Sequence, residues 1–157
     1  MKTKFKASAV LVLAAVLFLT TGPMVNISQA ADCPPTREDY EGPFYKPEAP
    51  FRTKVGEGYL FQGRVLSAQG CRPLAQAVVE LWLAGPGGRY HDDYRARLRT
   101  DQEGLFRFES HLPPGYQGRP PHIHLKVRAQ GHRTLTTQHY PSSGADRGEM
   151  DLILTPD

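Results

Sequence analysis

The sequence predicts an all-β chain, an antiparallel sandwich or barrel, and three observations carry that prediction. No long stretch has the apolar period of a helix. Short β-branched and aromatic runs recur instead, and Gly, Pro and Asp clusters cut them off at short intervals. Within several runs apolar side chains alternate with polar ones, the pattern of a strand with one face in a core. Internal repeats and low-complexity tracts are lacking.

The N-terminus stands apart from this pattern. Lys2, Lys4 and Lys6 precede an apolar run from Ala7 to Leu19, and Ser28-Gln29-Ala30 offers small residues ahead of a cut. This is the layout of a secretory signal peptide, with cleavage expected after Ala30 and export of the mature chain, periplasmic or secreted. The apolar run is shorter than the ~20 residues that span a bilayer, so no stable membrane insertion is expected after cleavage. Loss of the three lysines takes the formal charge from +3 to zero. A neutral mature chain implies no nucleic-acid role. The predicted organisation is a signal peptide over 1–30, an N-terminal arm over 31–57 and one modest domain over 58–157.

Cys33 and Cys71 are the only cysteines. In an exported chain an even pair reads as a disulfide, here one that ties the arm to the body. The arm is rich in Pro, Gly and charge, with Glu41-Gly42-Pro43-Phe44-Tyr45 as its aromatic stretch. Such a segment wraps a domain or lines a site more often than it forms regular structure. Strand signals begin where Tyr59, Phe61 and Val65 alternate with Leu60, Gln62 and Arg64, and Ser67-Ala68-Gln69-Gly70 ends that run. The run Ala77 to Leu83 is too apolar for a free edge and belongs in a sheet interior. Gly85-Pro86-Gly87-Gly88 then delivers Arg89-Tyr90-His91 and a charged, solvated loop through Arg99.

Thr100 to Gly104 is turn chemistry, Phe106 and Phe108 share one face of the next strand, and Pro113-Pro114-Gly115-Tyr116 is a tight loop. The following stretch, Arg119-Pro120-Pro121-His122-Ile123-His124-Leu125-Lys126-Val127, reads as a strand with Ile123, Leu125 and Val127 on one face and two imidazoles on the other. A turn at Gln130-Gly131, a strand around Thr134 to Gln138, a polar loop and a closing run from Met150 to Leu154 complete the chain.

Two histidines at this spacing can bind one metal ion through neutral ring nitrogens, and imidazole suits iron, copper, zinc and nickel alike. Alone, the pattern also describes surface residues opposite a buried face. Tyr90 and Tyr116, each in a Gly- or Pro-marked loop, add two hard oxygen donors and turn the set toward ferric iron rather than zinc.

From Gly63 to Tyr140 the chain resembles the intradiol ring-cleavage dioxygenases. The resemblance lies in Pro73-Leu74, Val79-Glu80-Leu81-Trp82, Gly88-Arg89-Tyr90, Thr100-Asp101 with Gly104 and Phe106, Pro114-Gly115-Tyr116, Arg119-Pro120-Pro121-His122-Ile123-His124 and Thr136-Thr137-Gln138. Glu41 to Tyr45 is similar to the segment that precedes that domain. The resemblance implies a prealbumin-like antiparallel β-sandwich with long irregular loops and little helix. It also implies a non-haem Fe(III) held by Tyr90, Tyr116, His122 and His124, with Tyr116 the axial tyrosinate that substrate displaces. Arg119 would stabilise negative charge developing on the ring, and Gln138 would share that duty. The implied reaction opens a catechol-type diol with O2 between its two oxygenated carbons, giving a muconate-type dicarboxylate.

Departures from the family bear on the oligomer and the pocket. The helical N-terminal region that some relatives use as a dimer linker is lacking, which leaves the oligomeric state open, and the loop between Tyr116 and Arg119 is only Gln117-Gly118. A competing reading is a non-enzymatic prealbumin-like sandwich that binds a ligand or polysaccharide, which has no need of the Tyr/His set. Zinc hydrolases and cupins also use His-x-His, but no Asp-His continuation follows and Arg128 stands where a cupin places Glu. His91 reads as a solvated loop histidine, Tyr94 as a neighbour that could be mistaken for the ligand, Trp82 as core, and Tyr45 as either pocket wall or packing.

Overall fold

The computed structural model describes residues 32–157, and the expected signal peptide lies outside them. Eight strands alternate with turns: β1 Tyr59–Ser67, β2 Val78–Ala84, β3 Tyr90–Arg99, β4 Leu105–Ser110, β5 Ile123–Arg128, β6 Leu135–His139, β7 Arg147–Glu149 and β8 Leu152–Leu154. No helix occurs among the described residues. One sheet runs β4-β1-β7, with β8 also on β1, and the other runs β3-β2-β5-β6. The second sheet is antiparallel throughout; in the first, β7 and β8 run parallel to β1.

Alternation builds the core between the sheets. Phe61, Val65, Phe108, Leu152 and Leu154 from one sheet meet Val79, Leu81, Leu83, Ile123, Leu125 and Val127 from the other, all buried. The apolar Ala77–Leu83 run is indeed interior, because β2 is flanked by β3 and β5.

Two readings of the sequence need correction. The stretch after Tyr90 is not a solvated loop but the strand β3. Ala96 and Leu98 face the core while Arg95, Arg97 and Arg99 face outward, and the density of charge hid this period-two pattern. The polar loop before the closing run contains β7, too short and charged to read as a strand.

The arm decides what the outer face of the four-stranded sheet becomes. Cys33 is bonded to Cys71 and its N–H donates to the Ala68 carbonyl, which starts the arm at the β1–β2 turn. The arm then runs along β6, where the Asp39 N–H donates to the Thr136 carbonyl, and crosses the outer face to β3. There Arg52 donates from its backbone N–H to the Arg97 carbonyl, and Lys54 bridges to Glu109 on β4. A face that an antiparallel sheet commonly leaves to water is thereby covered from edge to edge.

Candidate metal centre

Strand register puts one row of side chains across the covered face. Arg95 on β3, Trp82 on β2, His124 on β5 and Gln138 on β6 are successive cross-strand partners. Alternation along β5 sends Ile123, Leu125 and Val127 inward and leaves His124 under the arm, so a polar residue ends 1% exposed on an outer face. His122, just before β5, is 3% exposed. The β2–β3 register slips between Trp82 and Ala84, an irregularity of the kind that re-aims side chains, and Tyr90 enters β3 at this point.

The three side chains converge on a point. Tyr90 Oη lies 2.9 Å from His122 Nε2 and 3.0 Å from His124 Nε2. Tyr116 sets its ring edge-on to Tyr90, centroids 5.3 Å apart, and edge-on to Phe44 at 5.5 Å. A two-residue turn, Gln117-Gly118, closes reciprocal backbone bonds between Tyr116 and Arg119 and holds both at the rim. Arg119 Nη2 donates to Gln138 Oε1 at 2.9 Å. All six residues singled out in the sequence, Tyr90, Tyr116, His122, His124, Arg119 and Gln138, therefore lie in one neighbourhood.

Aromatic packing fixes the donors. Phe44 stacks on Tyr90 at 4.4 Å with an 11° interplanar angle, and Trp82 stacks on His124 at 4.9 Å and 3°. Trp82 is buried, as expected, but on the outer face beneath Tyr45 rather than between the sheets. Tyr45 itself packs on Trp82, accepts a hydrogen bond from Arg128 and lies under the Lys126 ammonium at 3.9 Å, so its role here is packing. Tyr94 sits away from the centre, edge-on to His111. His91 is exposed and faces Asp93 at 3.0 Å, as expected of a solvated histidine, though on a strand.

Burial sets the charge states. It pushes the Tyr90 phenol up to about 12, with Arg119 opposing. Burial likewise pulls His124 down to about 3, reinforced by His122 and Arg119, and lowers His122 against the pull of the Pro120 carbonyl. Neutral imidazole is the form that ligates a metal. His122 Nδ1 lies 2.8 Å from that carbonyl, which requires the proton on Nδ1 and leaves the Nε2 lone pair facing Tyr90.

These donors fit a cation. The Tyr90 hydroxyl has one proton to give, so the chain satisfies both imidazole nitrogens only with His124 as the Nε2–H tautomer and its buried Nδ1 left without a partner, whereas an ion at their centre accepts a lone pair from each of the three atoms. The 2.9 and 3.0 Å separations of Tyr90 Oη from the two Nε2 atoms are short enough for one cation to contact all three. No three His, Cys, Asp or Glu side chains gather to hold a metal among the described residues, so the site depends on tyrosine oxygen. Phenolate suits a hard trivalent ion, which also reverses the burial-driven rise of the phenol.

Residue reading reached Phe44 only as part of the arm's aromatic stretch, expected to wrap the domain or line a site, and missed Asp39 and Tyr140. Asp39 reaches the site through the arm, and nothing local marks it. Tyr140 had a signal: two residues beyond Gln138, it continues the same face of the β6 line.

Fold and site together define a β-sandwich that carries a tyrosine–histidine centre under an N-terminal strap. A family described as Dioxygenase matches residues 41–119, half of the chain. Among similar proteins, the chlorocatechol 1,2-dioxygenase of Cupriavidus pinatubonensis is 31% identical over 74% of this chain and 61% of its own length. Catechol 1,2-dioxygenase 2 of Acinetobacter lwoffii is 36% identical over 66% of this chain and 50% of its own. This chain thus spans about half to three fifths of those relatives. Among solved structures, the dioxygenase domain of a dioxygenase and carbohydrate-binding fusion from Streptomyces sp. SirexAA-E superposes with a TM-score of 0.71 at 29% identity, covering 79% of this chain and 100% of that domain. The chain belongs to the intradiol ring-cleavage dioxygenase family.

Proposed function

We propose that this protein is an exported non-haem Fe(III) intradiol dioxygenase that opens a catechol-type diol with O2 to a muconate-type dicarboxylate. Tyr90, Tyr116, His122 and His124 hold the iron in this reading. The observation that carries it is the approach of Tyr90 Oη to both histidine Nε2 atoms at 2.9 and 3.0 Å. The Cys33–Cys71 disulfide fits an oxidising compartment and so fits export.

A ferric ion held by Tyr90, Tyr116, His122 and His124 would supply the Lewis acidity that makes a catecholate reactive toward O2. The chain's own groups do the rest. Phe44, Trp82 and Gly42 wall the donors from water, which strengthens every charge interaction inside. Tyr116, half-buried at the rim beside Tyr90, would accept a hydroxyl proton of the substrate at Oη in this reading. Arg119 spends only Nη2 on Gln138 and Tyr140, which leaves Nη1 and Nε available to negative charge that develops on the ring in this reading. Both O2 atoms end in the product, so no reductant is required.

The test is iron analysis of the purified protein together with turnover of catechol under 18O2. About one ferric ion per chain, a red tyrosinate band and two labelled oxygens in a ring-opened diacid are expected. Arg119→Met keeps iron and the colour shift on catechol addition but turns over roughly 10²–10³ times more slowly. A zinc protein, or a semialdehyde product cut beside the diol, would sink the reading.

A further inference from the structure

Arg119 is not held by Gln138 alone. Its Nη2 also donates to Tyr140 Oη at 3.0 Å. Tyr140 Oη lies 2.9 Å from Asp39 Oδ2 and 3.1 Å from Gln138 Oε1, but a hydroxyl has one proton to give. Gln138 Oε1 already accepts from Arg119, and Asp39 is the charged acceptor, so the proton belongs to Asp39. The other Asp39 oxygen accepts the Tyr40 N–H at 2.6 Å, and Gln138 Nε2 donates to the Tyr40 carbonyl. The contacts form a closed ring: Arg119 to Gln138, to the Tyr40 backbone, to Asp39, to Tyr140 and back to Arg119. Its members come from three places, the strap, the end of β6 and the turn before β5.

This ring bears on function because of where it leaves the guanidinium. An arginine on a two-residue turn at a half-exposed rim has several rotatable bonds and loses most of its electrostatic effect when it swings into water. Two acceptors on one Nη pin one corner of a planar group and so set the direction of the other donors. Asp39 adds a counter-charge one hydroxyl away, which favours the pinned orientation without consuming Nη1 or Nε. Partial burial opposes ionisation of Asp39, yet its bonds to Tyr40 and Tyr140 and the field of Arg119 hold its carboxyl below the ordinary range, so the counter-charge is present at neutral pH.

We propose that Tyr140 and Asp39 are positioning residues for Arg119, with Tyr140 the direct contact and Asp39 the strap-borne anchor that orients it. The proposal rests on the dioxygenase reading for its effect on rate, but the ordering of Arg119 is a property of the chain alone. Neither residue touches the candidate metal donors by hydrogen bond, so the iron spectrum should not respond to them.

The test pairs kinetics with a measurement that needs neither iron nor substrate. Tyr140→Phe is expected to lower kcat roughly 10-fold, the value of a hydrogen bond to a charged group, with KM within about twofold and the tyrosinate band unchanged. In an Arg119→Met background the same substitution is expected to have no further effect, because its target is gone. Asp39→Asn, which keeps an acceptor for Tyr140 but not the charge, falls between wild type and Asp39→Ala. In the metal-free protein, 15N spectra of the Arg119 guanidinium, identified by its loss in Arg119→Met, should show resolved, slowly rotating Nη signals that average in Tyr140→Phe. Additive effects in the double variant, or an Arg119 that stays ordered in Tyr140→Phe, overturn the proposal. If wild type cleaves no catechol, the dioxygenase reading fails, and the guanidinium spectra alone then support or overturn the ordering of Arg119.

Discussion

At the scale of single residues, function turns on which atoms lack enough protons among themselves. Tyr90, His122 and His124 were legible because the Gly-Arg-Tyr and His-x-His patterns are local, and strand alternation sends both imidazoles away from the core. Their convergence was expected from the donor types and the family resemblance, but how the chain achieves it was not legible, since that depends on the β2–β3 irregularity and on cross-strand register. The Tyr90 and Tyr94 pair gives a direct check on the ligand set. Tyr90→Phe is expected to shift or abolish the visible band and to lower retained iron at least 10-fold, the scale of losing one metal donor or its support. Tyr94→Phe removes a hydroxyl that packs near Gly85 and His111, so iron content and colour should hold. Iron per chain and the visible spectrum of the two variants decide, and the reverse pattern would mean that the wrong tyrosine has been placed on the metal.

At the scale of elements, the strap converts the outer face of a sheet into a buried site. Its Pro- and Gly-rich composition gave away that it wraps, but not what it covers, because the backbone bonds that seat it on β6, β3 and β4 join residues far apart in sequence. The β3 strand shows the complementary limit: its Arg95 donates to the Lys46 and Pro47 carbonyls of the strap, its Arg97 and Arg99 lie over the Phe51 ring, and Arg52 of the strap donates back to the carbonyls of Asp92, Asp93 and Arg95, so charge that suggests a solvated loop marks an edge awaiting a partner. Gly42 is where the strap crosses closest to the centre. It sits at φ +76°, and a Cβ there would stand 3.1 Å from His124 Cε1. Gly42→Ala is therefore expected to cost about 1–2 kcal/mol from the left-handed backbone and to displace His124 or the strap as well. Gly131→Ala, at φ +71° with open space around its Cβ, shares the first cost and not the second. Greater thermal destabilisation of Gly42→Ala than of Gly131→Ala, with iron lost only from Gly42→Ala on titrating ferric iron into both, is the expected outcome, and equal iron loss would remove the strap contact from the account.

At the scale of the whole molecule, the two sheets meet chiefly through apolar side chains, and a polar contact between their strands stands out among them. Tyr59 on β1 and His139 on β6 share a 2.6 Å hydrogen bond, and the imidazole stacks on Phe61 at 4.3 Å. Burial pulls His139 down to about 4. The sign follows from linkage: the unfolded chain binds this proton near pH 6.5 while the folded one refuses it until about pH 4, so stability is full above pH 6.5 and falls as pH drops through that window. The loss attributable to this half-buried ring is of order 1–3 kcal/mol. His122 and His124 shift in the same direction, so the wild-type curve alone does not identify the group. His139→Gln in the metal-free protein should be less stable at neutral pH, having lost the ring packing between the sheets, yet should lose less on acidification. Urea midpoints at pH 7 and pH 4.5 for the two proteins measure the difference. Equal losses on acidification would show that His139 binds its proton as readily in the folded chain as in the unfolded one, so that burial between the sheets does not lower its pKa and the sandwich does not depend on its neutrality in acid.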